Sequence, residues 1–192
     1  MDREVMIMTK AADVADFFIE LAQSDENDTI TNLRINKLLY FAQAWYMARF
    51  DKPLFEEDFE AWDLGPVIPA IYKKYRENGK NNIDYVSDSY NVNNFSDDEL
   101  NTLIDVFNYY GKYSTTELVN KTHDNGTPWK QLYKRGGNHL IPKECIKEFF
   151  KKQPPLDTFH IPTWMYDEAE SGHRMPDGTL VIPKGWDDDD AE

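Results

Sequence analysis

Val14, Phe17, Phe18 and Leu21 fall at i, i+3, i+4 and i+7, the spacing that gathers apolar side chains on one face, and predict a helix over about 10–23. After the polar stretch from Ser24 to Thr29, Ile35, Leu38, Leu39, Ala42, Trp45 and Tyr46 form a broader stripe that Phe41 thickens. This predicts a second helix over about 32–50, and a stripe so wide places it at the centre of the fold, buried on more than one side. Between Pro53 and Val67 the period changes. Phe59, Ala61 and Asp63 alternate with Glu60, Trp62 and Leu64 ahead of Gly65-Pro66, which predicts a short strand or extended turn. Proline is tolerated in a first helical turn, so a helix is expected over about 68–77, ending at Asn78-Gly79. The polar, Asn-rich stretch from Lys80 to Phe95 is expected to hold a small hairpin around Ile83–Val86.

Two capping boxes follow, Ser96-x-x-Glu99 and Ser114-x-x-Glu117, each able to satisfy exposed helix N–H groups by reciprocal side-chain bonds. The first leads Leu100, Leu103, Ile104 and Phe107 to Gly111, and the second leads Leu118 and Val119 to about His123. Thr127-Pro128 starts a short helix through Tyr133, closed by Gly136-Gly137. Pro142 begins a last one with Ile146, Phe149 and Phe150, which Pro154 stops. The expected fold class is mainly α, a compact multi-helix domain around a central buried helix with one or two short β segments.

Charge divides the chain. Its 192 residues carry a formal charge of −14, and residues 153–192 hold 10 acids against 2 bases together with five of the ten prolines. Proline excludes long helices there. A boundary is therefore expected at Lys152–Pro154, separating a helical domain, 1–152, from an acidic, proline-rich extension, 153–192. Aromatic residues make up 14% of the chain, enough apolar area to offset ordering entropy and to argue against global disorder. The negative field opposes nucleic-acid binding and favours a basic partner. No basic leader with an apolar run, and no run of roughly 20 apolar residues, suggests secretion or membrane insertion. With Cys145 the sole cysteine, a reducing cytoplasmic setting is the expectation.

Catalytic signals are weak. His123, His139, His160 and His173 show no spacing that would put two ring nitrogens on one helix face, so no metal is assigned. Cys145 reads as an inert thiol, and Gly136-Gly137 lacks the context of a phosphate-binding loop. The acidic runs Glu56-Glu57-Asp58 and Asp97-Asp98-Glu99 read as solvated charge at element starts. Lys130, Lys134 and Arg135 beside Trp129 and Tyr133 read as a structural helix with snorkelling cations rather than a nucleic-acid patch. No catalytic residue and no cofactor is assigned.

Three segments together resemble the Panacea antitoxin domain, which GepA-like and SocA-like antitoxins share. They are Leu33 through Trp45, containing Lys37-Leu38-Leu39-Tyr40-Phe41; Phe59 through Val67, containing Trp62 and Gly65-Pro66-Val67; and Thr122 through Trp129, ending in Pro128-Trp129. The resemblance covers about residues 9–152. It implies a non-enzymatic antitoxin that neutralises a cognate protein toxin by direct binding, with alarmone-synthetase-like translation inhibitors among the toxins of the family. A proteolytic adaptor that delivers the toxin to a cellular protease is the alternative, and an enzymatic antitoxin a weaker one. Residue by residue, Leu38, Leu39 and Phe41 read as core. Lys37 reads as laying its stem across that core with its ammonium outward. Gly65-Pro66 reads as a sharp turn into the next helix, with Trp62 covering it.

The extension has no such match, yet it contains Phe159, Trp164, Met165, Tyr166 and Trp186 next to Asp187 and Asp188. Aromatic anchors separated by prolines and flanked by carboxylates suit either an arm that docks on a basic groove of the toxin or a small packed hairpin.

Overall fold

The computed structural model describes residues 9–23 and 29–156. Seven α-helices are described: α1 (Ala11–Gln23), α2 (Asn32–Phe50), α3 (Pro69–Tyr75), α4 (Asp97–Tyr110), α5 (Thr115–His123), α6 (Pro128–Leu132) and α7 (Lys143–Phe150). Three short strands, β1 (Phe59–Trp62), β2 (Gly65–Val67) and β3 (His139–Ile141), form an antiparallel sheet in the order β2-β1-β3. The mainly α class is as the periodicity predicts.

Helix α2 is the axis of the domain, as its wide stripe predicts. It starts where Thr31 accepts a bond from the Arg34 N–H and stops where Asp51 turns left-handed at φ 57°. Leu38, Leu39, Tyr40, Phe41, Trp45 and Tyr46 are all buried. The Phe41 ring stacks on Tyr110 at 3.8 Å, Tyr40 meets Phe59 edge-on at 5.4 Å and Trp45 meets Phe150 at 5.3 Å, so α2 is locked to α4, β1 and α7 by aromatic contacts.

What the stripe does not reveal is that α2 also buries polar groups. Asn32, Arg34, Asn36, Lys37 and Gln43 are buried with the apolar set, and each holds the backbone of another segment against the helix. Gln43 accepts the Leu54 N–H at 2.7 Å and donates to the Phe55 carbonyl at 2.8 Å. Asn32 donates to the Tyr72 carbonyl at 2.9 Å, and the Arg34 guanidinium donates to the Tyr113 carbonyl at 2.6 Å. Backbone groups of the loops, and the Tyr72 carbonyl in the last turn of α3, are thereby given partners.

Both capping boxes form in full. Two local expectations fail. The stretch 83–86 forms no hairpin; the Ile83 N–H donates instead to the Ile30 carbonyl at 2.8 Å, and Ile30 donates to Asn82 Oδ1 at 2.7 Å. A long-range clip takes the place of local pairing. Gly65-Pro66 is not the turn: Asp63 and Leu64 connect β1 to β2, with Trp62 opposite Gly65, and Gly65-Pro66 opens β2. Pro66 is tolerated because β2 is an edge strand.

Candidate functional site

The three sequence segments converge beneath the β1–β2 hairpin. From α2, the Lys37 ammonium nitrogen donates to the Pro66 carbonyl at 2.8 Å, and the adjacent Asn36 accepts the Ile68 N–H at 3.0 Å, so two consecutive side chains hold β2 and the entry to α3. From α6, the Trp129 indole N–H donates to the Trp62 carbonyl at 2.8 Å. The α5–α6 turn is closed by Thr127, whose hydroxyl donates to the Thr122 carbonyl at 2.7 Å. Gly65 lies between these elements at φ +105°, and a Cβ there would sit 2.7 Å from Thr122 Oγ1 and 2.8 Å from Lys37 Cε. Only glycine fits so close an approach at that φ.

The Lys37 side chain is fully buried, which corrects the expectation of an outward ammonium. The neighbouring carbonyl draws the head inward, and desolvation pushes its pKa down to about 7. His123 stacks on Trp129 at 3.6 Å, and Trp129 on Tyr133 at 4.5 Å. His123 Nε2 is buried with no hydrogen-bond partner among the described residues, and burial together with the charges of Lys37 and Lys130 lowers the imidazole pKa. The column ends where Tyr133 donates to Asp63 Oδ1 at 2.8 Å, returning to the hairpin tip. With Trp129 buried inside this column, it offers no free face for a nucleic-acid base.

Above the buried cluster the hairpin forms one wall of a groove of about 430 Å³, lined by Trp62, Leu64, Val67, Tyr72, Asp63 and Arg76 among others. Trp62 is half-buried, its indole N–H on Glu60 and its ring 4.9 Å from Tyr72. It therefore walls the groove instead of covering a turn. Leu64 and Tyr72 are 56% and 42% exposed. A second cavity, about 600 Å³, lies between α2, α4, α5 and α7 and is lined by Trp45, Tyr109, Lys121, Asp124 and Phe149 among others.

Leu38, Leu39 and Phe41 are buried, as the core reading expects, and the motif residues Tyr40, Gly65, Pro66, Val67, Pro128 and Trp129 are buried as well. Cys145 is exposed, not buried, because the apolar face of α7 is carried by Ile146 and Phe150. Among the described residues no group of three His, Cys, Asp or Glu side chains could hold a metal, and no helix is long and apolar enough to cross a membrane. Phe159, Trp164, Met165, Tyr166, Trp186, Asp187 and Asp188 lie outside the described residues. Asn36, which the motif reading passes over, had a visible signal: Asn32, Asn36 and Gln43 share one stripe of a helix that is otherwise largely apolar.

A family model described as "Antitoxin SocA-like, Panacea domain" matches residues 35–130, a range that takes in most of α2, the hairpin, α5 and Pro128-Trp129. The chain is 32% identical over 138 residues to Antitoxin SocA of Caulobacter vibrioides, covering 65% of this chain and 73% of that protein. No solved structure matches the chain. With Lys37, Gly65-Pro66 and Trp129 knotted together inside the matched region, the chain belongs to the SocA-like Panacea-domain antitoxin family.

Proposed function

We propose that the protein is the antitoxin of a toxin–antitoxin pair and neutralises a cognate protein toxin by direct, stoichiometric binding. One observation carries this beyond family membership: the motif residues meet in a buried knot whose reactive groups, the Lys37 amine and the Thr122 hydroxyl, are sealed from solvent. Such a knot supports a scaffold that presents surfaces to a partner. The formal charge of −14 favours a basic partner face, and the acidic extension with Phe159, Trp164, Met165, Tyr166 and Trp186 is the candidate arm for a basic active-site groove on the toxin. A toxin that acts on anionic substrates, as an alarmone-synthetase-like enzyme does, has such a groove.

Co-expression with the toxin encoded beside it tests the proposal. Growth rescue is expected only when antitoxin is at least equimolar, with the pair co-eluting on size exclusion. Rescue at strongly sub-stoichiometric antitoxin, without a complex, would mean turnover and overturn the proposal.

A further inference from the structure

Burying a lysine head group without an anion is unfavourable enough that a neutral amine competes with the ammonium. Lys37 is 0% exposed, and its one hydrogen-bond acceptor among the described residues is the Pro66 carbonyl, an uncharged group. Among the described residues no carboxylate answers it. Strand β2 brings only Gly65, Pro66 and Val67, and α5 presents the Thr122 hydroxyl, which already donates to the Val119 carbonyl at 2.7 Å, and the His123 ring. The charges acting on His123 are Lys37 itself, Lys130 from α6 and Asp124 at the end of α5. The one buried carboxylate among the described residues, Asp16, is occupied by Lys74 at 3.3 Å and by the Tyr75 hydroxyl at 3.0 Å. Among the described residues Lys37 thus has no counter-ion, and it lies beside the unpartnered His123 Nε2, which Asp124 alone offsets, beneath the hairpin that walls the groove.

We propose that this cluster is a proton-linked latch, in which the β1–β2 hairpin seats on α2 and α5 as Lys37 sheds its proton and loosens as Lys37 takes one up. Lys37 is then a positioning residue for Trp62 and Leu64, and the groove wall responds to pH. The device goes beyond the antitoxin assignment and does not depend on it.

The direction follows from linkage. Seated, Lys37 titrates near 7; unseated and solvated it returns to its ordinary value of 10.5. Between those values the unseated form binds one more proton, so seating strengthens as pH rises, by up to about tenfold per pH unit. Below pH 7 both forms carry the Lys37 proton and its contribution levels off. His123, also lowered when seated, adds a loss as pH falls through its own range.

The test is carried out on the full chain. The Lys37 Cε resonance, followed by carbon-13 NMR, should titrate well below the other lysines. Urea unfolding at pH 7, 8 and 9 should give an unfolding equilibrium that falls up to tenfold more per pH unit in wild type than in Lys37→Met, whose apolar chain fills the same space without titrating. Titration of Lys37 near 10.5 would overturn the latch, and so would identical pH slopes in the two proteins. If Lys37→Met does not fold, the Trp62 indole N–H resonance of wild type decides: it should shift in step with the Lys37 titration, and an indole signal that stays fixed while Lys37 titrates would overturn the latch.

Discussion

At Gly65 a single hydrogen atom separates a well-seated hairpin from a clash. A methyl group there would press on Thr122 Oγ1 and Lys37 Cε while adopting φ +105°, which L-residues rarely reach. Gly65→Ala is expected to cost roughly 2–4 kcal/mol in urea unfolding, from strain and overpacking together. Trp62→Ala should behave differently. Half-buried and walling a groove, Trp62 contributes less to the core than a sealed tryptophan would, so a loss of about 1–2 kcal/mol is expected, with any larger functional defect pointing to a partner contact. A melting profile in which Trp62→Ala is the more damaging would reverse this ranking. The special position of Gly65 was legible from the Gly-Pro pair. The burial of Lys37 was not, since a lysine beside apolar neighbours snorkels or sinks according to whether a carbonyl waits inside, and here that carbonyl is 29 residues away.

Elements whose ends are set by local chemistry were the most legible. Ser96 and Ser114 each accept from the N–H three residues on, while Glu99 and Glu117 return to the cap backbone at 2.7 and 2.8 Å. Ser96→Ala or Ser114→Ala should each cost about 1 kcal/mol without changing the fold, read as a lowered urea midpoint with unchanged slope. Helix α2 obeys a different logic, because its buried amides serve other segments. Gln43→Leu makes the helix more apolar yet leaves the Leu54 N–H and the Phe55 carbonyl without their partner. It is therefore expected to destabilise by roughly 2–4 kcal/mol, and a neutral or stabilising result would show that the loop finds other bonds. The pairing of β3 with β1, and the clip between Ile30 and residues 82–83, had no local signature. Both join segments more than 50 residues apart, through backbone bonds and, in the clip, the Asn82 side chain, and neither segment's periodicity encodes its partner.

On the scale of the whole molecule, charge is spread unevenly along the chain. The core described here closes with Phe150 and then Leu156, which is only 6% exposed, while residues 153–192 carry most of the excess negative charge, 10 acids against 2 bases. A cut after Lys152, where the proline pattern puts the boundary, would remove Leu156 from its packed position; a cut after Leu156 would not. The 1–156 fragment is therefore expected to melt close to the full chain, and the 1–152 fragment several degrees lower, the shift that about 1 kcal/mol produces in a domain of this size. If the acidic arm engages the toxin, 1–156 should bind at least tenfold more weakly, because Trp164, Tyr166 and Trp186 are lost as anchors. The full chain's on-rate should also fall as salt rises, while that of 1–156 should be less sensitive, since steering depends on the charge the cut removes. Equal affinity and equal salt dependence for the two chains would move the inhibitory face onto the helical domain, where the groove of Trp62, Leu64 and Tyr72 is the surface to probe next.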